Sequence, residues 1–189
     1  MAQLTEVRFH GRGGQGAKTA GYILAVAAAE EGWKINAFPE YGAERRGAPM
    51  KSFVRISDEP IRLRSSIKQP GVVGVLDDTL LETENVTDGM GEGAVLVVNT
   101  TQTADAIRAQ LGNPNVQIFV VNATQVAMDT IGRPIPNTPM LGAMAKAANI
   151  ASLDALKRAV DERLGGKLSK AAIEANYAAL ERAYEEVTQ

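Results

Sequence analysis

The sequence predicts an α/β fold, a doubly wound and mostly parallel sheet with an antiparallel hairpin and a C-terminal helical segment. Near-continuous apolar runs at residues 72–76, 94–98 and 116–121 are typical of strands that are buried on both faces. Each run ends at an Asp or an Asn and is followed by a stretch of helical character. Strands and helices that alternate in this way build a parallel sheet with helices on its faces.

The N-terminal part adds two strands and a helix. Residues 6–10 alternate in character as a strand does, and the alanine-rich residues 15–31 predict a long helix. Residues 33–38 alternate again and predict a second strand. We expect that strand to stop at Pro39, because proline cannot donate a hydrogen bond to a neighbouring strand.

The antiparallel hairpin is predicted in the middle of the chain. Residues 50–57 and 61–64 are two alternating runs, joined by three residues that favour a turn. We therefore expect these two runs to pair with each other. Short helices are predicted between and after the buried strands, at residues 79–84, 103–111 and 123–131.

The C-terminal segment is predicted to be helical. Helices are expected over residues 140–148, from Ser152 to residue 164 and from Ser169 to residue 187, with both serines as N-caps. The first of these helices consists mainly of small and apolar residues, so we expect a partner to cover it. We predict one domain over residues 1–189, with the sheet core in residues 1–131 and the terminal helices in residues 132–189.

Composition excludes several classes of function. The 189 residues carry a formal net charge of -2, and no lysine or arginine run is typical of a nucleic-acid tract. Without cysteine the chain holds no disulfide, thiolate zinc site or cysteine-ligated iron–sulfur cluster, and one histidine argues against a self-contained transition-metal site. No stretch approaches the roughly 20 apolar residues of a membrane span. We expect a soluble cytoplasmic protein with neither nucleic acid nor membrane as partner.

A glycine-rich turn between the first strand and the first helix is the principal candidate site. Gly11, Gly13, Gly14 and Gly16 remove side chains where the chain turns sharply into the helix. Backbone N–H groups at a helix N-terminus attract anions, because the helix dipole is positive there. Arg12 lies inside the turn and favours a phosphate as the anion.

The same glycines also match a dinucleotide-binding fingerprint. Gly11, Gly13 and Gly16 have its spacing, and Glu40 follows at roughly the position of an acid that binds ribose. Arg12 argues against this interpretation, because it places a bulky cation where dinucleotide-binding loops are lean. NAD binding is therefore kept as an alternative.

A second unusual loop covers residues 39–49, with the sequence PEYGAERRGAP. It follows the second strand of the predicted sheet, so we expect it at the same carboxyl edge as the glycine turn. Arg45 and Arg46 would then complete a cationic pocket with Arg12. Glu40 and Glu44 could form a carboxylate pair, but we expect them to fix Arg45 or Arg46 by ion pairing. The alternative is a solvated surface loop.

His10, the only histidine, lies at the lip of the predicted crevice and is a candidate for acid–base catalysis. Its alternative role is structural, as a histidine at the end of a strand. The sequence contains no nucleophile elbow, no phosphate-loop lysine motif and no paired metal-ligand spacing. We therefore expect no catalytic residue on this chain.

Four motifs together resemble one known family. They are residues 11–18 (GRGGQGAK), 38–49 (FPEYGAERRGAP), 76–81 (LDDTLL) and 136–142 (PNTPMLG). In this order, and spread over nearly the whole chain, they are similar to the gamma subunit of 2-oxoacid:ferredoxin oxidoreductases, of which pyruvate:ferredoxin oxidoreductase is the nearest type.

The resemblance implies a role within a larger complex. Such complexes convert a 2-oxoacid and coenzyme A (CoA) to an acyl-CoA and CO2 and reduce ferredoxin or another acceptor. Thiamine diphosphate with Mg2+ and the [4Fe-4S] clusters are expected on alpha, beta and delta subunits, with no cofactor within this chain. The gamma subunit aids assembly and CoA binding, which implies these site residues: Arg12, Gly13, Gly14, Gln15, Gly16, Glu44, Arg45 and Arg46.

Two functional alternatives remain open at the level of the sequence. The chain is either a required subunit without turnover of its own or a free-standing nucleotide-binding oxidoreductase. Within the first alternative, the substrate is pyruvate or another 2-oxoacid such as phenylglyoxylate, because the 2-oxoacid would meet thiamine diphosphate on other chains.

Overall fold

The computed structural model describes residues 3–41 and 47–189, and within them the chain builds one six-stranded sheet with helices on both faces. The strands are β1 (Leu4–Arg12), β2 (Lys34–Tyr41), β3 (Pro49–Ser57), β4 (Val72–Val75), β5 (Val95–Asn99) and β6 (Gln117–Val121). The helices are α1 (Ala17–Glu30), α2 (Leu80–Thr83), α3 (Ala104–Gln110), α4 (Ala123–Ile131), α5 (Asn137–Ala148), α6 (Leu153–Leu164) and α7 (Lys170–Glu186).

The strand order is β2-β3-β1-β4-β5-β6. The four strands β1, β4, β5 and β6 are parallel, whereas β3 runs antiparallel to both of its neighbours, β1 and β2. The predicted fold class is therefore confirmed: an α/β fold with a mostly parallel sheet, an antiparallel hairpin and C-terminal helices.

The predicted position of the hairpin is wrong. Residues 50–57 lie in β3, but their partners are β1 and β2 rather than residues 61–64. With both sides of β3 occupied, no ladder remains for a further strand. Residues 61–64 form no strand, and the Leu63 carbonyl instead accepts a hydrogen bond from Arg55 Nη1 at 3.5 Å. The hairpin is formed by β2 and β3.

Two element ends differ from the prediction for reasons of proline chemistry. The strand β2 continues through Pro39 to Tyr41, because an edge strand tolerates a residue that lacks an N–H. The helix α5 begins at Asn137 and contains Pro139 in its first turn, where backbone N–H groups have no partner within the helix. The predicted caps are confirmed, since Ser152 and Ser169 each accept a hydrogen bond from the third residue that follows them.

Helices cover the two faces of the sheet unequally. On the first face, α1 and α4 to α7 share one apolar core with β1 and β3. On the second face, the short helices α2 and α3 pack on aliphatic residues of β4, β5 and β6. No helix in residues 3–41 and 47–189 combines the length and the apolar character that a membrane crossing requires.

The expectation that a partner covers the apolar helix α5 is wrong. Its residues from Asn137 to Ala145 are buried within the chain, mainly by α7. The two helices approach closely at Gly142, where an added Cβ would lie 2.1 Å from the Leu180 carbonyl oxygen. Thr138 Oγ1 also donates to Asn176 Oδ1 of α7 at 2.9 Å. The alanines and glycine of α5 therefore serve close packing inside the monomer.

Candidate functional site

The glycine turn lies where two neighbouring parallel strands send their helices to opposite faces. The helix after β1 packs on the first face and the helix after β4 packs on the second, while β1 and β4 pair directly. A crevice at the carboxyl ends of such strands is the usual ligand site of open α/β sheets. The chain that enters β3 reaches the same edge, because Gly13 N donates to the Ala48 carbonyl at 3.1 Å.

Glycine is required at the point where the turn meets α1. Gly16 is the N-cap residue and has a φ of 84°, in the left-handed region that side chains disfavour. A Cβ on Gly16 would also lie 2.7 to 2.9 Å from atoms of the Asn137 side chain. This conformation ends the turn and explains why the helix starts at Ala17 rather than at residue 15.

Arg12 is held by three groups of its own chain. Its Nε lies 3.3 Å from Asp77 Oδ2, its Nη2 donates to Thr79 Oγ1 at 2.9 Å, and its Nη1 donates to the Gly47 carbonyl at 3.2 Å. The predicted cation is therefore present at the carboxyl edge, in a fixed position and half-buried. Its nearest charged partner is the carboxylate that follows β4.

Gln15 connects the turn to the same carboxylate. Its Oε1 accepts a hydrogen bond from Arg12 N at 2.7 Å, and its Nε2 donates to Asp77 Oδ2 at 2.6 Å. Burial alone would raise the pKa of Asp77, but hydrogen bonds from Thr79 and Gln15 and the charge of Arg12 hold that pKa below its ordinary value. Asp77 is therefore ionised at neutral pH.

Asp77 is not among the site residues that the sequence predicts, although it lies in one of the four motifs. The signal was its position directly after a buried strand, where an acid is exposed to the crevice. Glu44, Arg45 and Arg46 lie outside the described residues, and their assignment stays a prediction.

Glu40 does not lie where a ribose-binding acid would be needed. It is on β2, and β3 separates that strand from β1. Two strand spacings amount to about 10 Å, whereas the dinucleotide fold places the corresponding strand directly beside the first one. Glu40 accepts a hydrogen bond from Ser66 Oγ instead.

His10 is a structural residue rather than a group at the mouth of the crevice. It is 1% exposed, and its Nε2 has no hydrogen-bond partner in the described part of the chain. Burial lowers its pKa to about 3, and the positive charges of Arg8 and Lys51 act in the same direction. The ring is therefore neutral at physiological pH, and the geometry favours the structural alternative.

Comparison with known proteins matches nearly the whole chain. A family model described as pyruvate ferredoxin/flavodoxin oxidoreductase matches residues 6–186. Pyruvate synthase subunit PorC of Thermotoga maritima is 48% identical over 182 residues, which cover 96% of this chain and 94% of that protein. The pyruvate/ketoisovalerate oxidoreductases common subunit gamma of Thermococcus litoralis is 46% identical over 167 residues, which cover 88% and 90%.

A solved structure agrees with these sequence matches. The crystal structure of pyruvate oxidoreductase subunit PORC from Thermotoga maritima superposes with a TM-score of 0.88 at 44% sequence identity. The alignment covers 98% of each chain, so the similarity includes both the sheet and the C-terminal helices.

Proposed function

Because the chain belongs to the pyruvate ferredoxin/flavodoxin oxidoreductase family, we propose that it works as the gamma subunit of a complex that oxidises pyruvate. The reaction takes a 2-oxoacid, CoA and an oxidised acceptor to an acyl-CoA, CO2 and a reduced acceptor. Pyruvate is supported by the names of the relatives, one of which also names ketoisovalerate. Another 2-oxoacid, such as phenylglyoxylate, is the alternative.

The proposal places the redox chemistry on other chains. Thiamine diphosphate with Mg2+ and the [4Fe-4S] clusters belong to alpha, beta and delta subunits, and ferredoxin or another acceptor takes the electrons from the complex in the cytoplasm. The lack of cysteine supports this division, because protein-bound iron–sulfur clusters of this type are held by cysteine thiolates.

The part of the reaction assigned to this chain is the binding of CoA phosphates, and the position of Arg12 is the observation that carries it. Arginine has five N–H donors, two on each terminal nitrogen. Gly47 accepts from one N–H of Nη1 and Thr79 from one N–H of Nη2, while Nε forms the ion pair with Asp77. Each terminal nitrogen of Arg12 thus retains one N–H without a partner among residues 3–41 and 47–189. Two such donors suit the oxygens of a phosphate.

The rest of the assigned site supports the same ligand. Gly13, Gly14 and Gly16 keep side chains away from the turn, so a phosphate can approach the start of α1. Gln15 orients the turn through Asp77. Glu44, Arg45 and Arg46 belong to the proposal through the resemblance, and the residue that follows them, Gly47, is bonded to Gly13.

Reconstitution of the complex with and without this chain tests the subunit role. We expect acceptor reduction that depends on both 2-oxoacid and CoA to require the chain, while the purified chain alone is colourless and has no turnover. Dye reduction by the chain alone, driven by a 2-oxoacid, would overturn the assignment.

Kinetics of an Arg12→Ala complex test the CoA role. One charge-assisted hydrogen bond contributes roughly 1.5–3 kcal/mol, so the KM for CoA should rise about tenfold to a hundredfold. The KM for the 2-oxoacid should not change. Arg158→Ala on the surface of α6, where Arg158 pairs with Glu30, is the matched control and should leave both values unchanged.

The alternative of a free-standing nucleotide-binding oxidoreductase is tested by titration of the purified chain with NAD. Glu40 lies on β2, which β3 separates from β1 and the glycine turn, so its position argues against a dinucleotide site at that turn. Saturable NAD binding that Gly16→Ala abolishes would favour this alternative over the proposed function.

A further inference from the structure

We propose that Asp77 is a positioning residue for CoA binding. Its carboxylate holds Arg12 at Nε, and this contact leaves both terminal nitrogens of Arg12 oriented toward the phosphates of CoA. The inference rests on the proposed function and adds to it a residue from the neighbouring strand. Asp77 would not contact CoA itself; it would act through Arg12.

The Asp77 carboxylate is fully occupied by the two loops that it joins. Its Oδ2 accepts from Gln15 Nε2 at 2.6 Å and lies 3.3 Å from Arg12 Nε. Its Oδ1 accepts from Thr79 N at 3.1 Å and from Thr79 Oγ1 at 2.5 Å. The carboxylate therefore links the turn after β1 to the turn after β4, and both of its oxygens contact N–H or O–H groups of the protein.

Asp77 contacts a different nitrogen of Arg12 from those proposed to bind the anion, so its negative charge does not prevent anion binding. The charged contact is made through Nε, whereas the terminal nitrogens meet only neutral oxygens, those of Thr79 and Gly47. A phosphate can therefore bind at the terminal nitrogens without displacing Asp77.

Fixing Arg12 in advance favours binding. A free arginine side chain loses rotamer entropy when it binds a ligand, and this loss weakens the affinity. In this chain the loss accompanies folding, because Asp77, Thr79 and Gly47 already hold the guanidinium. Asp77 is 15% exposed, which keeps its charge close to Arg12 and partly shielded from water.

The test uses the assembled complex with Asp77→Asn, and Asp78→Asn is its matched control. Asp78 accepts a hydrogen bond from Thr100 Oγ1 at 2.7 Å and belongs to a separate contact. We expect Asp77→Asn to raise the KM for CoA about tenfold and to leave kcat and the KM for the 2-oxoacid unchanged. With pantetheine, a thiol that lacks the phosphates of CoA, the variant should match the unmodified complex.

A double-mutant cycle separates action through Arg12 from general damage. If Asp77 acts through Arg12, the complex with both Arg12→Ala and Asp77→Asn should bind CoA no worse than Arg12→Ala alone. Additive losses, an equal loss with pantetheine, or an unchanged KM for CoA in Asp77→Asn would overturn the inference. If Asp77→Asn does not assemble, Asp77→Glu, which keeps the charge but shifts it by one methylene, should show the same split between the two KM values.

The outcomes also distinguish this inference from the proposed function. An Arg12→Ala complex with a normal KM for CoA would contradict the CoA role itself. A raised KM in Arg12→Ala together with a normal KM in Asp77→Asn and Asp77→Glu would contradict only the role of Asp77.

Discussion

The two halves of the sheet share a helical layer on the first face, but their second faces differ in kind. In the half formed by β4, β5 and β6, the second face is aliphatic and lies under α2 and α3. In the half formed by β2, β3 and β1, the same face carries buried polar or charged side chains, among them Arg8, His10 and Arg55. Both halves bury apolar side chains, but only the half formed by β2, β3 and β1 also buries charged and polar side chains on its second face.

The segments that cover the second face differ between the two halves: helices lie over the aliphatic side chains, and irregular segments lie over the buried arginines. Arg8 Nη2 donates to the carbonyls of Val86 at 3.0 Å and Asp88 at 2.8 Å, and Arg55 Nη1 donates to the Leu63 carbonyl at 3.5 Å. Arg55 Nε also pairs with Glu6 Oε1 of β1 at 2.7 Å. Irregular chain offers carbonyl oxygens that a helix would use internally, so it can satisfy buried arginines. The candidate site lies at the boundary and takes Arg12 from one half and Asp77 from the other.

The largest effect is expected in the apolar half. Leu96 on β5 is 0% exposed, and Leu96→Ala should lower the free energy of unfolding by about 2–5 kcal/mol, through lost transfer energy and a cavity. Leu63, in the segment over the polar half, is 56% exposed, and Leu63→Ala should cost less than about 1 kcal/mol. Urea unfolding of the purified chain measures both, and equal losses would remove the distinction between the halves.

Acid should weaken the polar half through His10. The unfolded chain binds a proton at this histidine near pH 6.5 and the folded chain only near pH 3, so stability is complete above about pH 6.5 and falls as the pH drops toward 3. From pH 7.5 to 4.5 this group should account for roughly 2 to 3 kcal/mol. The His10→Leu chain should lose less stability over that interval than the unmodified chain. Urea titrations at several pH values measure this loss, and the same change of unfolding free energy with pH in both chains would contradict the low pKa of His10.

Breaking the buried ion pair should have a smaller effect. Arg55 is 3% exposed at its side chain, so Glu6→Gln leaves a buried guanidinium without its counter-charge and should cost about 1–3 kcal/mol. The matched control is Glu174→Gln, in the exposed pair with Lys170, and should change stability by less than about 0.5 kcal/mol. If Glu6→Gln and Glu174→Gln lowered the stability equally in thermal unfolding, burial of the Arg55–Glu6 pair would make no difference to its contribution to stability.

The sequence predicts the elements of this fold better than their partners. Buried runs such as residues 94–98 identify β5, and Ser152 and Ser169 mark two helix starts, because these signals are local. Alternation in residues 50–57 shows a strand but not its neighbours, and pairing with β1 and β2 is a long-range choice. The burial of α5 by α7 is not predictable from local sequence for the same reason, because Gly142 and Leu180 come into contact only when α7 packs on α5.

The candidate site was predictable in part. The glycine turn and Arg12 are local features that the sequence displays. The link from Arg12 to Asp77 depends on β4 lying beside β1, with 64 residues of chain between the paired positions Arg8 and Val73, and no local pattern encodes that order. Burial of His10 likewise follows from the sheet position rather than from its own sequence context.

We propose that this subunit binds the phosphates of CoA at the carboxyl edge of the sheet, where the two halves meet. Steady-state kinetics of the assembled Arg45→Ala complex check this role, because Arg45 is assigned to the site from the sequence alone, by the position of its loop and by the resemblance. Loss of one charge-assisted hydrogen bond should raise the KM for CoA about tenfold to a hundredfold, while half-reactions that need only the 2-oxoacid and thiamine diphosphate persist. An unchanged KM for CoA, or loss of complex formation instead, would contradict the CoA role and indicate that the loop is structural.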